Sequence, residues 1–300
     1  MMRLNRIGVG LAAIGLALAA GCVFPSDSYR AEEPYILSLP FEGVDALSID
    51  WRNGEITVTI DAEVTEITAT GTTFATAATQ ATANDALTSI TVDVAADDTD
   101  ATLANLTFDA PTGGAISYGA HVELTIPAGV ELTIASANGD ITVTGNEGTT
   151  TVQLANGDVT VNTSTGDTTI NLANGTATVA DHTGDADVEV ANGTVVVSST
   201  EGNVEANVAN GSIQIQAQPA EDGTVLAQLT TGSISVEIPA DFGAALELTA
   251  TVGTIDATLD DFTVTDQETG LYQLTATLNG GGGQITANAA VGDVQFGSLE

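Results

Sequence analysis

Four aspartates, Asp140, Asp158, Asp167 and Asp185, recur at one position of a repeating pattern, each directly after a glycine. Carboxylates stacked in a row could gather a divalent cation such as calcium. Thr149, Thr176 and Thr194 interrupt the row, and no unit reads Gly-Gly-x-Gly-x-Asp, the signature of a calcium β-roll. Calcium therefore stands only as an alternative, and no cofactor is expected. A zinc site needs clustered ligands, yet His121 lies in an alternating stretch and His182 between two repeat halves, neither in a His-x-His or His-Glu-x-x-His pattern. The serines lack the Gly-x-Ser-x-Gly elbow of hydrolases. The run Gly280 to Gly283 is not followed by the Lys-Ser or Lys-Thr of a phosphate loop and reads as a flexible loop. Trp51 beside Arg52 could stack a sugar ring, although packing at the N-terminal cap is the expectation. Among forty acidic residues, a carboxylate pair spaced for glycoside hydrolysis arises by chance. No catalytic, cofactor-binding or metal-ligating residue is singled out, and the chain is not expected to be an enzyme.

Charge narrows the partners. Lysine is absent, the four basic residues are Arg3, Arg6, Arg30 and Arg52, and the formal charge is −36. Nucleic-acid binding rests on Lys and Arg neutralising phosphates, so none is expected. Anionic membrane surfaces and polyanionic substrates are disfavoured by the same field. Such a charge suits solubility in salty surroundings, where screening is strong. Cys22 is the only cysteine, which excludes an internal disulfide and a multi-cysteine metal site.

The elements that carry these residues are set by glycine. From Gly139 to Gly211 a glycine falls on every ninth position, and every second one ends the tripeptide Ala-Asn-Gly, at 139, 157, 175, 193 and 211. A fixed period of this size marks a stacked repeat architecture. Within each half, glycine takes the turn and apolar residues alternate with polar ones, as in Ile141 and Val143, Val159 and Val161, Val195 and Val197, Ile213 and Ile215. The β-branched residues suit a pleated, half-buried surface. The seventh position is Leu154, Leu172, Val190 or Val208 in one half, but Gly145, Thr163, Asp181 or Ser199 in the other. The structural unit is therefore about eighteen residues.

Two architectures fit: a β-solenoid, or an antiparallel meander with Asn-Gly hairpins. A meander would need a second layer over its apolar face, and no matching block of strands or helices is evident. The expected fold is all-β, a single-chain β-solenoid with ~18-residue coils made of two nine-residue halves, the regular repeats spanning 135–216. Coils stack at about 4.8 Å. Val143, Val161, Val179 and Val197 would then form an internal ladder. Asn138, Asn156, Asn174, Asn192 and Asn210 would form an amide ladder at a corner.

Residues 1–21 carry Arg3 and Arg6, then an apolar stretch from Ile7 to Ala20, which reads as a secretory signal peptide too short to span a membrane comfortably. Residues 22–36 read as a polar tether. Asn53-Gly54-Glu55-Ile56-Thr57-Val58 anticipates the repeat motif, so the N-terminal part is expected to share the solenoid. Phe74 to Leu87 is rich in alanine and permits a short helix. After Gly211 the spacing loosens around an insertion holding Pro239-Ala240-Asp241-Phe242-Gly243. Residues 297–300 form a tail.

Leu18-Ala19-Ala20-Gly21-Cys22 resembles the lipobox of bacterial lipoproteins, with Ala19 where leucine is favoured. That resemblance implies lipidation of Cys22 and a membrane-anchored envelope protein. Val23 in place of an aspartate then points to the outer membrane of a Gram-negative host. The Asn-Gly-Asp-Ile-Thr-Val motifs, their spacing and Leu124-Thr125-Ile126-Pro127-Ala128-Gly129-Val130 resemble the bacterial putative-adhesin family of unknown-function domains, over Leu37 to Phe296. The resemblance implies a β-solenoid at the cell surface and brings no catalytic residue. The expected function is non-enzymatic adhesion or scaffolding by a lipid-anchored acidic rod, with a surface glycan or protein as partner. The alternatives are a calcium-stabilised structural protein, a glycan-active β-helix enzyme, and a periplasmic envelope-stress or assembly factor.

Overall fold

The computed structural model describes residues 28–299; Cys22 and the signal segment lie outside the described residues. The chain opens with β1 (Tyr29–Pro40), β2 (Ala46–Asn53), β3 (Ile56–Ile60) and β4 (Glu66–Ala77), followed by α1 (Gln80–Leu87). The hydroxyl of Thr79 caps α1 by accepting from the Thr82 amide at 3.1 Å. Next come β5 (Thr91–Ala96), β6 (Leu103–Asp109), β7 (Ser117–Ile126), β8 (Glu131–Asn138), β9 (Ile141–Thr144), β10 (Thr150–Asn156) and β11 (Val159–Asn162). The long strands β12 (Thr168–Thr183), β13 (Ala186–Glu201), β14 (Val204–Ala217) and β15 (Thr224–Ile238) each hold both halves of a coil. The chain ends with β16 (Ala244–Val252), β17 (Ile255–Ala257), β18 (Val264–Thr269), β19 (Gln273–Leu278) and β20 (Gly283–Ser298).

The solenoid is the observed architecture. The first halves of the coils pair in parallel from β8 through β10, β12, β13 and β14 to β15, and the second halves do the same from β9 through β11. Residues eighteen apart lie beside each other, so Val143, Val161, Val179 and Val197 form the internal ladder. All four are buried, as are Ile134, Val152, Ile170 and Val188 in the other half. Aliphatic side chains fill the regular coils, while aromatic pairs close the ends: Trp51 with Phe108 at 5.5 Å, and Phe262 with Phe296 at 5.8 Å.

Coil order in space departs from chain order at both ends. β2 and β3 lie between β6 and β7 on the outside and β8 and β9 on the inside. Asn53 stacks on Asn138, so the early motif belongs to the same stack. At the other end, β20 lies in parallel between β15 and the pair β16 and β17. Antiparallel strands then cover the open edges: β4 on β7, β5 on β6, and β19 on β16.

Three boundaries expected from the sequence are corrected. The tether does not reach residue 36, because β1 begins at Tyr29 and pairs with β4 along its whole length. Ala31 is buried, while Glu32, Glu33 and Pro34 face outward on an edge strand, where a missing N–H is tolerated. Phe74 to Ala77 complete β4, and the helix is confined to Gln80–Leu87. The tail is shorter than expected, since β20 runs to Ser298.

Candidate functional site

Each Ala-Asn-Gly corner presents its asparagine outward, and stacking joins the amides into one chain of hydrogen bonds. Nδ2 of Asn156 donates to Oδ1 of Asn138 at 3.0 Å, Asn174 to Asn156 at 3.0 Å, Asn192 to Asn174 at 3.2 Å and Asn210 to Asn192 at 3.1 Å. Asn138 donates to Asn53 at 2.7 Å, and Asn53 to the Tyr118 carbonyl at 2.7 Å. The ladder expected from the sequence thus exists and runs one coil further.

The four aspartates do not form one row. They divide between the two corners of the coil, and each carboxylate accepts from the backbone of the coil above. Asp140 takes the Asp158 N–H at 3.0 Å and Asp158 the Thr176 N–H at 2.7 Å. At the other corner Asp167 takes the Asp185 N–H at 3.0 Å, and Asp185 takes both the N–H and the side-chain amide of Asn203. Asp293 does the same for Thr254, whose hydroxyl and N–H hold its carboxyl below the usual range. Among the described residues, no three His, Cys, Asp or Glu gather to hold a metal ion.

His182 is buried in the second corner, within a polar column of Asn146, Ser164 and Thr200 spaced eighteen apart. Its Nδ1 lies 2.7 Å from Ser164 Oγ, and its Nε2 faces the Asp185 carbonyl oxygen at 3.4 Å. That network assigns the proton to Nε2, with Ser164 donating to Nδ1. A serine on an imidazole resembles a nucleophile with its base, but both side chains are 1% exposed, so substrate has no access. Burial pushes the imidazole pKa down, against the pull of the Asp185 and Ser164 backbones and of the Asp167 and Asp185 charges. A depressed folded pKa makes the neutral ring the native form. Stability is then full above the unfolded value of about 6.5 and falls as pH drops below it, by at most about 1.4 kcal/mol per unit. Denaturant midpoints of the wild-type chain are expected to fall between pH 7.5 and 5 more steeply than those of His182→Asn. Equal slopes would show that the ring is not held neutral.

His121 sits on β7 near the N-terminal end of the stack. Its Nδ1 accepts the Glu55 N–H at 3.1 Å, and Arg30 approaches Nε2 at 3.2 Å while lying 3.9 Å over the Phe74 ring. Arg30 also pairs with Glu32 at 2.7 Å. The Tyr35 hydroxyl donates to the His121 carbonyl at 3.0 Å, and burial pushes its pKa up. This cluster fastens β1 to β4 and β7. Trp51 is 3% exposed and donates to the Ala120 carbonyl at 2.8 Å, so it packs the cap and offers no sugar platform. The run at Gly280 to Gly283 is held by its neighbour: Asn279 bonds the Ala240 and Phe242 carbonyls and accepts the Thr263 N–H.

An open groove of about 550 Å³ runs along the rod. Alanines of the Ala-Asn-Gly corners, Ala191 and Ala209, lie along it with Thr230 and Ala290, and Glu189, Asn207, Gln228 and Asn288 form its polar wall. Beside it, partial burial and then the charges of Glu205 and Glu189 push the Asp187 carboxyl pKa up. A smaller groove of about 390 Å³ includes Gln214, Gln216, Glu237 and Gln295. Neither groove is lined by a histidine or a cysteine. No helix among the described residues is long and apolar enough to cross a membrane.

No curated protein matches the chain. Solved structures similar to it include the following two. One is a putative cell adhesion protein from Clostridium sporogenes ATCC 15579, at 11% identity and a TM-score of 0.27, covering 90% of this chain and 100% of that one. The other is a putative adhesin from Parabacteroides merdae ATCC 43184, at 11% identity and a TM-score of 0.26, covering 89% of this chain and 97% of that one. Likeness this slight carries no argument about fold or function. The model of the Toastrack DUF4097 family matches residues 113–296. That is more than half of the chain, from the strand that carries His121 to the last buried phenylalanine, and the protein belongs to the Toastrack DUF4097 family.

Proposed function

We propose that this protein is a non-enzymatic lipoprotein of the cell envelope that presents a rigid acidic rod for adhesion or scaffolding at the cell surface. The observation that carries this reading is where the polar side chains of the repeat are used. Asparagines bond along one corner, aspartates cap the backbone of the next coil, and His182 is buried on Ser164. The side chains best suited to chemistry are thus committed to coil-to-coil contacts, and grooved polar faces remain exposed. Lipid on Cys22 would hold the rod to a membrane at the end where β1 begins. One acyl chain anchors only marginally, so the multiple acylation of bacterial lipoproteins would be needed. In a Gram-negative host that membrane would be the outer one.

With a charge of −36, the partner would be a neutral glycan or a protein, rather than a polyanion or nucleic acid. The test is a binding screen of soluble residues 23–300 against neutral glycans and envelope components, with and without calcium. Saturable binding without turnover is the expected result. It should not change with calcium, because Asp140, Asp158, Asp167 and Asp185 already accept backbone hydrogen bonds. Cleavage of any component would overturn the non-enzymatic reading. Absence of binding in both conditions would overturn adhesion.

A further inference from the structure

Asparagine followed by glycine is the sequence most prone to spontaneous deamidation. The glycine nitrogen attacks the asparagine side-chain carbonyl carbon, a new C–N bond closes a five-membered succinimide, and the side-chain nitrogen leaves as ammonia with the proton displaced from the glycine N–H. Water then opens the ring to aspartate or isoaspartate. Glycine favours the attack because it has no side chain to crowd it. The described residues contain seven such pairs, at Asn53, Asn138, Asn156, Asn174, Asn192, Asn210 and Asn279. Ring closure requires the amide to rotate onto its own backbone, so hydrogen bonds that hold the amide oppose it.

Six of the seven amides are held at both ends. Asn53, Asn138, Asn156, Asn174 and Asn192 each donate through Nδ2 and accept at Oδ1 from the next asparagine. Asn279 donates to two carbonyls and accepts the Thr263 N–H. Asn210 differs. Its Nδ2 donates to Asn192, but among the described residues nothing donates to its Oδ1, because the next coils carry Thr231 and Val291 in its place. The ladder therefore has a closed end at the Tyr118 carbonyl and an open end at Asn210.

We propose that Asn210 is the deamidation site of the folded protein, and that modification then proceeds coil by coil toward the N-terminus. An aspartate or isoaspartate at position 210 has no N–H to give, so the Oδ1 of Asn192 loses its donor and Asn192 becomes the open end. The same step passes in turn to Asn174 and Asn156. Hydrogen-bonded chains polarise one another, so each loss also loosens the amide beyond it.

The test is peptide mapping by mass spectrometry of the folded full-length chain, sampled over time at mildly alkaline pH, beside the same chain unfolded in urea. In the folded chain, Asn210 is expected to convert first, about fivefold faster than Asn192, as one ordinary hydrogen bond would give. Asn192 and then Asn174 should follow after a lag. In urea all seven should convert together. The variant Asn210→Asp should remove the lag at Asn192, with circular dichroism confirming that it is folded. Equal rates at the seven sites of the folded chain would overturn the proposal. So would first conversion at Asn53 or Asn279, or no conversion at Asn210 over a period in which the unfolded chain is consumed.

Discussion

Gly193→Ala is expected to destabilise the rod by about 4 kcal/mol or more, the range of an uncompensated steric conflict. Gly193 has φ +146°, and a methyl group added there would sit inside contact distance of the Gly175 carbonyl oxygen, with the Gly175 carbonyl carbon at 2.8 Å. Those are backbone atoms of the coil below. Nothing flexible can move aside, and the Gly175 corner meets the same crowding against Gly157. The backbone conformation alone costs about 1–3 kcal/mol for a residue with a Cβ. Two controls divide these causes. Gly129 has φ +78° but no atom within 4 Å of an added Cβ, so Gly129→Ala should cost only about 1 kcal/mol. Gly297 has neither constraint, and Gly297→Ala should stay within about 0.5 kcal/mol of wild type. Denaturant unfolding of the three variants measures the series. If Gly193→Ala costs no more than Gly129→Ala, close approach of the coils is not what keeps glycine at the corner.

The same close approach explains why so much of the fold is legible in the sequence. A coil is a fixed number of residues, and its tightest point admits only glycine, so the coil length is written as a glycine spacing. The asparagine before each glycine repeats because an amide both gives and takes one bond per coil, and Asn156 on Asn138 or Asn174 on Asn156 follows directly. Partner choice is a different matter. Ile56-Thr57-Val58 has the alternation of any stacked strand, and it pairs with Val122-Glu123-Leu124 on one side and Ile141-Thr142-Val143 on the other. Alternation states that a strand is stacked, and leaves open which strands flank it. Edge strands mislead for a related reason: Glu32, Glu33 and Pro34 protect an outer strand with the composition of a linker. For the aspartates, the position was legible and the role was not. A carboxylate that caps the next backbone and one that waits for calcium leave the same letter, and only the 2.7 Å bond from Thr176 to Asp158 tells them apart. His182 could be placed in a turn from its spacing, but that this turn is lined by buried Asn146, Ser164 and Thr200 depends on how the corner closes.

Removing residues 283–300 is expected to unfold the C-terminal cap rather than to trim it. In a simple repeat array, loss of the last unit costs one interface and leaves the remainder intact. Here the last unit in sequence is not the last in space. β20 pairs with β15 on one side and with β16 and β17 on the other, so its loss empties a slot inside the stack. Ile285 lies between Val225 and Leu246, and Ala287 between Ala227 and Leu248, all of them buried. Without β20, β16 keeps only its antiparallel partner β19, and β19 its partner β18. Three short strands with no core beneath them are marginal in water. The Phe262 ring also loses Phe296. Amide hydrogen exchange of the truncated chain should show residues 244–278 exchanging like an unfolded segment, while 131–217 keep their protection. The competing outcome is that β16 moves one coil inward and closes onto β15. That would set Leu248 against Ala227 as it now sits against Ala287. Protection retained at Leu246 and Leu248 after truncation would show that β16 has closed onto β15 and that the displaced coil order is not required for the cap. Protection lost there, with the central coils unchanged, would show that the final residues of the chain lock a cap laid down before them.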